Sequence, residues 1–178
     1  MPSPISLKVE PDGSLQPAPY TRGWSRRLVD SRPIEARAEG GAWTETALDR
    51  SAENFSLDGQ LELCGGPGGF LLGADDCGGA VRVELSERLA RVVDIRSARA
   101  EDDAPWLAAK VLGEVGLPAA TRRAIRLLRV GAELELSIDG RVELSVDVGR
   151  SETQQRGLSL YIEGGRASFS SAELARVR

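Results

Sequence analysis

The sequence contains no histidine. That absence removes the commonest general base, the usual metal ligand and the partner that activates a serine or cysteine nucleophile in catalytic triads. Cysteine is scarce as well, with only Cys64 and Cys77. A hairpin could set these two opposite each other, so a bridge is geometrically open, but two free thiols are the expectation for a chain without a secretory signal. Lysine occurs only at Lys8 and Lys110, and no stretch concentrates basic side chains among aromatics. With 23 basic residues against 27 acidic ones and a net charge of -4, nucleic acid is not an expected partner. No run of about 18 apolar residues is present to cross a membrane as a helix. The start, Met1-Pro2-Ser3-Pro4, lacks the basic-then-apolar layout of a signal peptide, and a cytoplasmic location is the expectation. No cofactor motif appears: the glycines at 65 to 69 lack the Lys-Ser/Thr ending of a phosphate-cradling loop and read as a turn. No repeat of roughly 20 to 50 residues points to a solenoid or propeller.

What remains is the composition of one globular domain. The 178 residues are 41% apolar and 28% charged, enough to bury a core without disulfides or metal. Proline gathers in the first forty residues, at Pro2, Pro4, Pro11, Pro17, Pro19 and Pro33, so residues 1–45 read as a linker and edge strand, with an Asp12-Gly13 turn. Residues 46–178 read as the body. From Asp58 onward, short runs of period two alternate with glycine-containing turns, at the spacing of roughly 8 to 12 residues that sandwiches show. Leu61 and Leu63, then Val81, Val83 and Leu85, alternate with polar neighbours that include Arg82 and Glu84. The clearest unit runs Leu134, Leu136, Ile138, then Asp139-Gly140, then Val142, Leu144, Val146, a two-residue hairpin with one buried face. A second hairpin is expected from Leu158, Leu160 and Ile162 through Gly164-Gly165 to Ala167 and Phe169. Residues 104–117, with Trp106, Leu107, Val111, Leu112 and Val115, fit a short helix as well as a buried strand. The fold class predicted is all-β, an antiparallel β-sandwich of the concanavalin-like jelly-roll kind.

Carboxylates are the acid–base chemistry left, and a glycosidase needs only two, roughly 5 to 10 Å apart across a cleft. Asp75-Asp76 and Glu101-Asp102-Asp103 lie in polar, turn-like stretches without the ligand spacing of a calcium loop. Glu133, Glu135 and Glu143 alternate with core positions and are expected to face water. Aromatics are 4% of the chain, so each one counts. An aromatic face matches the apolar face of a sugar ring; Trp24, Trp43 and Tyr161 are the candidate carbohydrate-binding residues, while Trp106 reads as a core anchor.

Two segments resemble a known family. Leu7-Lys8-Val9-Glu10-Pro11-Asp12-Gly13-Ser14-Leu15 is similar to the segment that leads into the C-terminal β-sandwich domain of glycoside hydrolase family 32, the invertase and fructanase family. Leu134 to Val142 resembles that domain's hairpin, and Gly157 to Phe169 its closing pair; other concanavalin-like jelly rolls share the likeness more loosely. The family's catalytic carboxylates belong to a separate N-terminal propeller, in Trp-Met-Asn-Asp-Pro-Asn, Arg-Asp-Pro and Glu-Cys segments. None occurs here, and Glu62-Leu63-Cys64 has a residue between its acid and its thiol. The resemblance therefore implies a non-catalytic accessory domain, with no catalytic residue, no metal and no cofactor of its own. Its expected partner is a carbohydrate or a glycoside hydrolase catalytic domain. A jelly-roll glycosidase using a pair of carboxylates is the second reading, and a structural or homo-oligomerising module the third.

Overall fold

A computed structural model describes residues 6–9, 15–18, 28–73, 81–95, 109–148 and 157–177. Among these residues every regular element is a β-strand, and every pairing is antiparallel. A short hairpin of β1 (Ser6–Val9) and β2 (Leu15–Ala18) forms its own two-stranded sheet beside the sheet built by the other ten strands. The antiparallel sandwich predicted from the alternation is the architecture observed.

The sheet makes its own sandwich by folding over. Strand β12 (Leu158–Val177) is flanked along its whole length by β3 (Leu28–Asp49). On its other side lie β4 (Phe55–Cys64) and then β5 (Gly68–Leu72), placed end to end. From β4 the first layer continues through β9 (Arg122–Val130), β10 (Glu133–Ile138) and β11 (Arg141–Asp147). From β5 the second continues through β6 (Val81–Leu85), β7 (Leu89–Asp94) and β8 (Lys110–Gly116). Phe169 of the first layer meets Phe70 of the second edge-on, ring centroids 5.2 Å apart, inside a core shared by both layers.

Glycine marks the fold line. Gly40-Gly41 of β3, Gly164-Gly165 of β12 and Gly65-Gly66 after β4 lie side by side there, with Gly165 paired to Gly40 and a register shift between Glu163 and Gly165. Gly165 holds φ of 95°, and a Cβ added to it would overlap the carbonyl oxygen of Cys64. Strands that switch layers need such bends.

Several expectations change here. Gly164-Gly165 is not a hairpin turn but a bend inside one long strand, and the glycines at 65 to 69 carry the chain around the same corner. The two readings share one sequence pattern, apolar alternation on both sides of a glycine pair, and only the neighbouring strands separate them. Strand β3 runs across the expected boundary at residues 45 and 46. Its inward positions include Ile34, Ala36, Ala38, Gly40, Thr44 and Leu48, mostly small residues that leave a faint hydrophobic signature. Pro33 is tolerated because, among the described residues, β3 pairs only with β12, and an edge strand needs no ladder donor on its outer side. Residues 110–116 are a strand paired to β7 and not a helix, consistent with β-branched Val111 and Val115; Trp106, Tyr20, Cys77, Asp12-Gly13, Asp75-Asp76 and Glu101-Asp102-Asp103 lie outside the described residues. Cys64 is a half-buried free thiol.

The edges are closed by side chains. Arg32 donates to the carbonyl of Leu48 and to Asp49, both at 3.0 Å, and Thr46 donates its hydroxyl to the carbonyl of Arg37 at 2.8 Å, so the two halves of β3 are stitched together. Arg123 donates to the carbonyls of Glu87 and Pro118 and to Asp139, tying three turns at one end of the core. Asp139-Gly140 forms the expected two-residue turn, with φ of 51° and 82°, the left-handed pair of a type I′ hairpin.

Candidate functional site on the outer face of the second layer

Strand alternation sends Leu158, Leu160 and Ile162 into the core and leaves Tyr161 on the outer face, beside Leu71 and Ile95. Trp43 sits opposite Glu163 on the neighbouring strand, two positions from Tyr161. Its ring leans across and stacks on Tyr161, centroids 4.5 Å apart and planes 14° from parallel. Tyr161 is fully buried, whereas Trp43 stays 44% exposed. Of the three predicted carbohydrate-binding residues, Trp43 and Tyr161 are thus in contact and Trp24 lies outside the described residues. Tyr161 offers no face of its own; it is the base on which Trp43 lies.

A charged row crosses the same face. Glu84 lies opposite Arg91 on β7 and, through Gly69, in line with Tyr161. Arg82 holds Glu84 at 3.1 Å and Glu163 at 2.8 Å, and Arg91 holds Glu84 at 2.7 Å. Gly69 itself lies tight against β6, where an added Cβ would overlap the carbonyl oxygen of Val83, and Arg82 reaches over β5 to Glu163. Glu84, in contact with both guanidinium groups, is nearly buried. Burial drives the Tyr161 phenol far above its ordinary range, and the Glu84 carboxylate adds to the effect, so this hydroxyl remains protonated. It is buried and finds no hydrogen-bond partner among the described residues.

Arg82, Arg91, Glu84 and Glu163 were not singled out in the sequence as site residues. The available signal is an arginine and a glutamate on one face of β6, two positions apart, which reads equally as solvated charge. What brings Glu163 to them is a contact across 81 positions. Two clefts of about 380 Å³ lie elsewhere, one by the fold line between Gly65-Gly66-Pro67 and Ser86-Glu87-Arg88, the other near Asp30, Asn54 and Arg176; neither is lined by an aromatic residue. Glu135, expected to face water, is buried between Leu128 and Ser145 of the flanking strands, on β10, one strand in from the edge of the sheet. Burial raises its carboxyl above the ordinary value, while the Arg126 charge pulls it back in part.

No protein-family model matches the sequence, and no curated protein matches it significantly. Solved structures do match in shape. The carbohydrate binding module CBM66 from Bacillus subtilis superposes with a TM-score of 0.57 at 14% identity, over 82% of this chain and 96% of that one. A fructosyltransferase from A. japonicus gives a TM-score of 0.68 at 14% identity, over 97% of this chain and 31% of its own. The chain has the fold of the C-terminal sandwich of glycoside hydrolase family 32. Fructan 1-exohydrolase IIa from Cichorium intybus shows the same sandwich, with a TM-score of 0.67 at 11% identity over 98% of this chain and 40% of its own. The family 32 sandwich thus accounts for nearly all of this chain but spans well under half the length of either enzyme.

Proposed function

We propose that this chain is a non-catalytic accessory β-sandwich that binds carbohydrate and serves a glycoside hydrolase catalytic domain. The observation that carries the reading is the exposed Trp43 ring, held flat on buried Tyr161 with Glu163 beside it. A fixed aromatic face takes the apolar side of a sugar ring at little entropic cost, and adjacent charged groups can hydrogen-bond its hydroxyls. The shape shared with a carbohydrate binding module and with one part of fructan-active enzymes supports the same reading.

A calorimetric screen of the chain against fructans, sucrose and common plant and bacterial polysaccharides, with hydrolysis assayed in parallel, tests it. Binding without turnover is expected, and Trp43→Ala should weaken it by about fivefold or more, since stacking of this kind contributes about 1 kcal/mol or more. Turnover would favour the glycosidase reading. Silence in both assays would move the function to structure or partner docking.

A further inference from the structure

Resting on that reading of the Trp43 face, we infer that the site is selective by charge: it takes neutral polyhydroxylated rings and rejects sugars bearing carboxylate or phosphate, with Glu163 as the specificity-determining residue. The ionisable groups of this face are Glu45, Glu84, Glu114 and Glu163 on the acidic side, Glu114 being the register partner of Arg91 on β8, and Arg82 and Arg91 on the basic side. Four carboxylates thus stand against two guanidinium groups. Glu45 is the register partner of Tyr161 and Glu163 that of Trp43, so carboxylates occupy the two positions nearest the stacked rings. A ligand lying on Trp43 meets these first.

The arginines do not offset this for an anionic ligand. Arg82 is shared between Glu84 and Glu163, and Arg91 is engaged by Glu84. An incoming anion that reached either guanidinium would share it with a carboxylate already seated there, and that carboxylate would repel it. A neutral ring faces no such conflict, because a carboxylate accepts hydrogen bonds from hydroxyl donors and strengthens them by its charge. Arg82 acts as a positioning residue: with Nη1 on Glu163 Oε1 it fixes the direction in which that carboxylate meets the ligand.

The test uses the full chain and a matched pair of ligands: the neutral oligosaccharide that binds best in the screen, and the same oligosaccharide oxidised to carboxylates at its primary hydroxyls. The neutral form should bind at least tenfold more tightly at low salt, with the ratio shrinking as salt is added. Glu163→Gln should weaken the neutral ligand and narrow the ratio, whereas Arg82→Met, which frees Glu163 from its guanidinium partner and leaves every carboxylate in place, should weaken the neutral ligand without narrowing the ratio. Thermal melts of both variants check that the fold persists. Equal or tighter binding of the oxidised ligand would overturn the inference, as would a ratio indifferent to Glu163→Gln, while leaving carbohydrate binding intact. Failure of every carbohydrate to bind would overturn both the proposed function and this inference.

Discussion

The two layers present outer faces of similar composition and different construction. On the first, Asp58 with Arg126 and Glu62 with Arg166 form pairs across neighbouring strands, with side chains that remain substantially in water. On the second, a nearly buried Glu84 is clamped by two arginines, one of which crosses β5 to reach Glu163, next to an aromatic stack. Exposed ion pairs are screened and contribute little. A buried carboxylate held from two sides orders everything it touches, and an ordered surface is what a binding site needs. Charge content alone therefore does not distinguish a solvated face from an organised one; burial does.

The largest effect is expected where both faces depend on the same backbone. Gly165→Val places a side chain against the Cys64 carbonyl at a left-handed φ, and should cost more than about 3 kcal/mol or abolish cooperative folding. A urea melt would show it, and near-parental stability would mean that the fold line is not the constraint described. Next comes the contrast between the faces. Glu84→Ala leaves two partly buried guanidinium groups without their shared acceptor and should cost about 2 kcal/mol. Asp58→Ala, on the first face, should stay within about 0.5 kcal/mol of the parent; equal losses for the two would erase the distinction.

The smallest effect concerns Glu135, whose carboxyl is raised in the folded state by burial, against the pull of Arg126. As pH rises from the ordinary glutamate range through the raised value, the unfolded chain loses its proton first, so stability falls across that window. Glu135→Gln should match the parent below the window and be slightly more stable above it, in melts run from acid to neutral pH. A variant less stable than its parent at neutral pH would mean that the ionised carboxylate makes a favourable contact in the fold.

Much of this fold was legible in advance. Period two from Asp58 onward, the Asp139-Gly140 hairpin and the alternation of β6 are local patterns, and each falls on an observed strand or turn. The failures were local ambiguities resolved elsewhere in the chain. Gly164-Gly165 has the composition of a turn, and becomes a bend because β3 on one side and β4 and β5 on the other hold β12 to one line. Strand β3 was faint because its inward side chains are mostly small, as befits an edge that closes tightly on itself. In the site, the rarity of aromatics marked Trp43 and Tyr161, but not their stack or which of the two would be exposed.

The sequence by itself determined the strand class, the turn at Asp139-Gly140 and the lack of histidine chemistry, because these depend on residue types and on spacings of a few positions. Only the tertiary structure decided that the sheet folds over along its glycines, that Tyr161 lies beneath Trp43, and that Arg82 joins Glu84 to Glu163. Those features rest on contacts between residues far apart in the chain, and a period-two pattern states which side of a strand a residue takes without stating what it will meet there.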